Sequence, residues 1–126
     1  MTKYKAQKFS KTFYNAGKGF QIVLRSEKNL RIHCIMALLV LTGAYFCNCS
    51  ATEYCLLIFA IAMVILSEMF NTAIEFTLDA VFHNRYSRMV GMAKDISAGT
   101  VMFASAIAVF IGLIIFGKYI LLYFKF

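Results

Sequence analysis

The chain has 126 residues, of which 61% are hydrophobic, with no Pro and no Trp, and its mean hydropathy is +0.72. That leaves room for one domain and is too apolar for an ordinary soluble one, so the composition points to an all-α integral membrane protein. A net charge of +7 would raise nucleic acid in a soluble chain. Here the bases sit beside apolar spans, so anionic headgroups and phosphate-bearing substrates are the expected partners, and nucleic acid is not.

Residues 4–25 read as an amphipathic surface helix. Ala6, Phe9, Phe13, Ala16, Phe20 and Val23 recur at spacings of three and four as an apolar seam, and Lys8, Lys11, Asn15 and Lys18 form a second stripe. Such a helix lies on an anionic membrane surface, either as an anchor or with its Lys/Asn stripe turned to nucleotide phosphates. Gly17-Lys18-Gly19 lacks the spacing of a phosphate loop. The first thirty residues hold no continuous apolar run of the kind a cleavable signal peptide needs.

Residues 26–31 form a polar break in which Ser26 is placed to cap a following helix. Glu27 is the only acid among the first fifty residues. It is either a solvated charge paired with Lys28 or Arg31, or a group at the membrane surface on the same side as the acids described below. Residues 32–52 are uncharged apart from His33, an expected interfacial group, and are long enough to cross a hydrocarbon core of about 30 Å. Asn48 to Glu53 reads as a short polar turn. The four cysteines, Cys34, Cys47, Cys49 and Cys55, show no C-x-x-C pairing and read as free thiols.

The second span, 54–82, is unusual because it must include acids. Within Ser67–Asp79, Glu68, Asn71, Glu75 and Asp79 return to nearly one azimuth of a helix, with Thr72 beside them. A charge deep in a membrane helix costs about 2.5–3.5 kcal/mol, so such a stripe needs a function or a cationic partner that neutralises it as packing glue. From Tyr54, Glu68 lies about 21 Å along the helix, inside the bilayer, whereas Glu75 and Asp79 lie about 32 and 38 Å along it, at or beyond the far interface. Clustered carboxylates with an amide oxygen suit Mg²⁺, which prefers oxygen ligands and bridges to phosphates.

Phe82 to Asp95 reads as a polar connection, and 96–117 as the third span. In that span Thr100, Ala104, Ala108 and Gly112 mark a small-residue face for close helix contact. Every Lys and Arg except Lys118 and Lys125 falls in the amino-terminal arm or the second connection. That places both on the cytoplasmic side of a multi-pass protein with a cytoplasmic N-terminus. Glu27, Glu75, Asp79, Lys94 and Asp95 then converge where nucleotide is available, with Glu68 at lipid depth. This geometry suits phosphate transfer from a soluble donor to a lipid hydroxyl.

The run from Glu68 through Asn71-Thr72-Ala73-Ile74-Glu75 to Asp79, followed by Ala93-Lys94-Asp95 and Ala98-Gly99, resembles the signature of the bacterial integral-membrane diacylglycerol kinases and undecaprenol kinases. Asn29-Leu30-Arg31-Ile32-His33 resembles the undecaprenol kinase branch. The resemblance covers nearly the whole chain and implies a homotrimer in the bacterial inner membrane, with active sites between subunits. It implies Glu68 as the base that takes the proton of the lipid hydroxyl, and Glu27 and Glu75 as holders of a divalent ion, Mg²⁺, that bridges ATP phosphates. Asn71 and Asp79 would order the site, and Lys94 with Asp95 would contact the nucleotide. The nucleotide-binding set is then Asn15, Glu27, Glu75, Asp79, Lys94 and Asp95, with Asn71 in support. The diacylglycerol kinase branch has an arginine and a tyrosine in its surface helix where this chain has Lys8 and Asn15, and a Glu-Tyr-His run where this chain has Arg85-Tyr86-Ser87.

The expectation is an ATP- and Mg²⁺-dependent lipid kinase made of one domain over residues 1–126. Its acceptor would be undecaprenol, with diacylglycerol as the alternative. A proton-coupled transporter using Glu68 is a rival of a different class, as is a purely structural membrane protein whose acids pair internally. The transporter predicts isolated midplane carboxylates, not a stripe running to the interface beside a basic loop.

Overall fold

The structure is a computed structural model that describes residues 8–125. Four helices follow one another: α1 (Phe9–Ser26), α2 (Lys28–Phe46), α3 (Ala51–Phe82) and α4 (Arg88–Phe124). The expected surface helix starts at residue 4, so its first turn, with Lys5 and with Ala6 of the seam, lies outside the described residues. α2, α3 and α4 are each long and apolar enough to cross a membrane. At 1.5 Å per residue α3 is about 48 Å long and α4 about 55 Å, so both extend past a hydrocarbon core of about 30 Å.

Local chemistry sets each boundary. α1 and α2 are separated by a single extended residue, Glu27 (φ −108°, ψ 113°), which ends one helix and precedes the next. Ser26, expected to cap α2, instead ends α1 and donates its hydroxyl to the Val23 carbonyl at 3.4 Å. The carbonyls of Leu24 and Arg25 each accept from Arg31 Nη1 at 2.9 Å. One backbone angle and two hydrogen bonds close α2. Asn48 adopts φ 54°, its N–H donates to Tyr45 at 3.1 Å, and the Cys49 N–H donates to Ala44 at 3.1 Å. That is the Schellman pattern, with an asparagine in the left-handed position.

α3 opens on a capping box in which Ser50 Oγ accepts from the Glu53 N–H at 3.3 Å and Glu53 Oε2 accepts from the Ser50 N–H at 2.9 Å. It starts three residues earlier than the expected span for that reason. Only residues 83–87 separate α3 from α4, because Ser87 Oγ caps α4 by accepting from the Val90 N–H at 3.2 Å. The stretch 88–95 is therefore helical, not a connection. Polar side chains do not break a helix that is capped, free of Pro and outside the hydrocarbon.

α4 and α2 both pack on α3, and α1 touches α2 and α3. Near the Cys47–Ser50 turn, Ala44, Leu57 and Ile115 form a buried cluster backed by Tyr54 and Tyr119. Glu53 locks that end: it pairs with the Lys118 ammonium and accepts from the Tyr119 hydroxyl at 2.6 Å. Between α2, α3 and α4 runs an apolar groove of about 340 Å³ lined by Met36, Val40, Leu57, Val64, Ala108 and Gly112, with His33 at its edge. Ala108 and Gly112 of the small-residue stripe of α4 line this groove, and a Cβ on Gly112 would meet nothing within 4 Å. The many exposed large apolar side chains, from Leu38 to Phe103 and Ile114, are what a lipid-facing surface requires.

Candidate active site

Helical periodicity puts Glu68, Asn71 and Thr72 on the covered face of α3, with Glu75 and Asp79 half-buried towards its end. Glu68 is 1% exposed and Asn71 9%. Thr72 turns its hydroxyl back to the Glu68 carbonyl at 3.0 Å, which removes it as a free donor. The titratable groups within electrostatic reach of Glu68 are His33, Glu27 and Glu75. Two further acids, Glu75 two turns along α3 and Glu27 at the α1–α2 corner, thus act on Glu68, and Leu30 in the first turn of α2 is fully buried.

The ion pairs among the described residues are Lys94–Asp79 and Lys118–Glu53. Asp79 has its cation: Lys94 Nζ donates to Asp79 Oδ1 at 2.6 Å, so the lysine of the signature binds α4 to α3. Glu75 also lies within electrostatic reach of Lys94 and so stands between that pair and Glu68. No Lys or Arg pairs with Glu27, Glu68 or Glu75 among the described residues. Arg31, one expected partner of Glu27, directs its Nη1 to carbonyls of α1 instead.

Beyond the Lys94–Asp79 pair, a polar cleft of about 210 Å³ opens between the end of α3 and the start of α4. Asp79, Asn84, Arg85, Tyr86, Gly91, Lys94 and Asp95 line it. Two left-handed residues, His83 (φ 50°) and Asn84 (φ 59°), turn the chain there. Tyr86 lays its ring against α4 beside Gly91, where an added Cβ would meet ring atoms at 3.2 Å, tighter than ordinary contact. Arg85 supplies a second positive charge at the rim. Asp95 is exposed at the mouth. Asn15 lies on the exposed part of α1, about 18 Å of helix before Glu27.

Among the described residues no three His, Cys, Asp or Glu side chains converge closely enough to hold a metal ion by themselves. Two carboxylates are nevertheless a sufficient protein contribution for Mg²⁺, which keeps waters and takes substrate phosphates as further ligands. The donor set fits. Glu27 and Glu75 carry no ion pair, and Asn71 Oδ1 is a buried oxygen without a hydrogen-bond partner.

The family model for prokaryotic diacylglycerol kinase matches residues 14–116, which contain every one of these groups. The chain belongs to that family. As a member it is a lipid kinase, a phosphotransferase with an alcohol acceptor, and a membrane protein. The chain is 33% identical over 109 residues to the undecaprenol kinase of Bacillus subtilis (strain 168), covering 86% of this chain and 88% of that one. It is 30% identical over 101 residues to a diacylglycerol kinase of Synechocystis sp. (strain ATCC 27184 / PCC 6803 / Kazusa), covering 80% of this chain and 58% of that one.

Sequence reasoning missed three features of this kinase. His33 lies within electrostatic reach of Glu68 and lines the groove, Ser97 is 4% exposed with a hydroxyl that has no partner, and Arg31 ties α1 to α2. The spacing from Glu27 to Arg31 is one helical turn and suggests an ion pair between them, whereas the arginine reaches the carbonyls of α1. All three depend on how the helices lie against one another.

Proposed function

We propose that this kinase transfers the γ-phosphate of ATP, in a Mg²⁺-dependent reaction, to the primary hydroxyl of undecaprenol, with Glu68 as the general base. The observation that carries the assignment is the burial of Glu68 at 1% exposure, with two carboxylates and a histidine within electrostatic reach and no Lys or Arg paired to it. Packing glue would look like Asp79, which has its lysine at 2.6 Å. A carboxylate kept buried without a cation is costly unless the site uses it.

Glu68 also stands at the right depth. Val64, one turn deeper on α3, lines the apolar groove, as does His33. A lipid chain in that groove brings its terminal oxygen to the level of Glu68. In the reaction the lipid oxygen bonds to the γ-phosphorus, the bond from that phosphorus to the β-γ bridging oxygen breaks, ADP leaves, and the hydroxyl proton passes to Glu68. Phosphoryl transfer of this kind is mostly positioning and charge neutralisation. Glu27 and Glu75 would hold Mg²⁺, with Asn71 Oδ1 turned to it or to its water; the ion would supply neutralisation of the triphosphate. Lys94, Asp95 and Arg85 would hold the nucleotide in the cleft, Asp79 would fix Lys94, and Asn15 would approach the phosphates from α1. The assembly in this reading is a homotrimer in the bacterial inner membrane, N-terminus cytoplasmic, with α1 lying on the membrane surface.

The choice of undecaprenol follows the Asn29–His33 segment and the likeness to the B. subtilis undecaprenol kinase. Diacylglycerol is the second reading, favoured by the Synechocystis relative. The test is transfer from γ-labelled ATP by detergent-purified protein of measured oligomeric mass, with each lipid in turn, with and without Mg²⁺, beside Glu68→Gln. The expected outcome is Mg²⁺-dependent labelling of undecaprenol that the substitution lowers by roughly 10²–10⁴-fold. Preferential labelling of diacylglycerol would move the assignment to the second reading. Full activity in Glu68→Gln would remove the base assignment.

A further inference from the structure

The position of Glu27 depends on a corner that a single arginine closes. Glu27 is the only non-helical residue between α1 and α2, and its side chain makes no capping hydrogen bond to either helix. Where its carboxylate stands is therefore decided by the angle at which the two helices meet. Three things hold that angle. The Glu27 N–H donates to the Val23 carbonyl at 2.8 Å. Val23 and Leu30 are buried beneath the bend. Arg31 reaches back across Glu27 from the first turn of α2, and its Nη1 donates to the carbonyls of Leu24 and Arg25, both at 2.9 Å.

The chemistry suits a clamp. The last carbonyls of a helix have no intrahelical donors and carry partial negative charge, so a guanidinium is a strong partner for them. The first turn of α2 is by contrast an unfavourable place for a cation, because the macrodipole there is positive. Arg31 is stabilised by α1 across the bend, and that holds only while the bend keeps its angle. A lysine in its place would be a point donor without the planar fork.

We infer that Arg31 is a positioning residue of the kinase: it fixes the α1–α2 corner and thereby sets Glu27 against Glu68 and Glu75. This rests on the proposed role of Glu27 in holding the divalent ion. Loss of a group that orients a metal ligand costs about 10- to 100-fold in ion affinity or activity.

Glu27→Gln, Arg31→Gln, Arg31→Lys and the double variant Glu27→Gln/Arg31→Gln are compared in two measurements. One is the Mg²⁺ concentration giving half-maximal transfer at saturating ATP. The other is amide hydrogen exchange of residues 23–28 in the resting protein. Arg31→Gln is expected to raise the Mg²⁺ requirement about 10- to 100-fold and to speed exchange at the corner. Arg31→Lys should fall between it and the wild type, and it carries the test if Arg31→Gln does not fold. Glu27→Gln should raise the Mg²⁺ requirement without changing exchange. The double variant should need no more Mg²⁺ than Glu27→Gln alone, since a residue acting through Glu27 has nothing left to position. A raised requirement in Glu27→Gln with an unchanged one in both Arg31 variants overturns the clamp and leaves the role of Glu27 standing. Additive losses in the double variant also overturn it. An unchanged requirement in Glu27→Gln removes the ion-holding role of Glu27, and the inference about Arg31 falls with it.

Discussion

At the scale of single residues the acids of this kinase divide into two kinds. Asp79 and Glu53 have cationic partners and join α3 to α4 at opposite ends of the bundle. Glu27, Glu68 and Glu75 have none among the described residues, and the charges of Glu27 and Glu75 both act on Glu68. Lys94 stands at the border, since it binds Asp79 yet lines the polar cleft. Lys94→Met is expected to lower kcat/KM for ATP by roughly 10²-fold, the typical effect of removing one donor to a transferring phosphoryl group. Asp79→Asn separates the two duties of the lysine. If Lys94 only packs, both variants should lose activity equally in steady-state kinetics; if it also contacts nucleotide, Lys94→Met should be the worse. The acidic stripe itself was legible in the sequence, because a helical period and the cost of charge in lipid suffice to single it out. Which of its members carry a cation was not, because that depends on the register of α4 against α3.

At the scale of elements, the caps decide where helices begin and end, and hence which side chains enter the site. Ser50 and Glu53 start α3, and Ser87 starts α4. Reading 82–95 as a connection placed Lys94 and Asp95 on a loop. The Ser87 cap puts them on the second turn of a helix instead, and that rigid placement is what lets Lys94 meet Asp79 at 2.6 Å. Ser50→Ala should cost about 1 kcal/mol of stability, the usual value of such a cap, while leaving kcat unchanged, because the turn lies at the end of the bundle away from Glu68. Thermal melting in detergent beside the transfer assay checks both halves. Ser26 shows the opposite case. A serine before a helix is a good capping signal, but here the extended residue is Glu27, and the cap position falls on a side chain that makes no capping bond.

At the scale of the whole molecule, the acids of the site and the Cys47–Ser50 turn lie at opposite ends of three long apolar helices. In the proposed topology, with the N-terminus cytoplasmic, that turn is exposed on the outer side. In intact cells a membrane-impermeant maleimide should label Cys47, and a variant with an added cysteine at Asn84 should label only after lysis. Labelling of the Asn84 variant first would reverse the proposed topology. Cys49 should react more slowly than an ordinary thiol at neutral pH. Burial, the largest influence, pushes its pKa up, and the Glu53 and Cys47 charges add to that against a lowering hydrogen bond with Tyr119, so less thiolate is present.

Composition and periodicity alone determined that this is a helical membrane protein with three spans and an acidic stripe in the second. Apolar length, helical azimuth and the cost of charge in lipid are local properties that a sequence carries without its fold. The tertiary structure decided which carboxylates keep a cation, that the small residues of α4 border a groove, and that His33 and Arg31 belong to the neighbourhood of Glu68 and Glu27. Each of those depends on the register and angle at which one helix meets another. Those quantities are set by the packing of many side chains at once, and no single stretch of the chain records them.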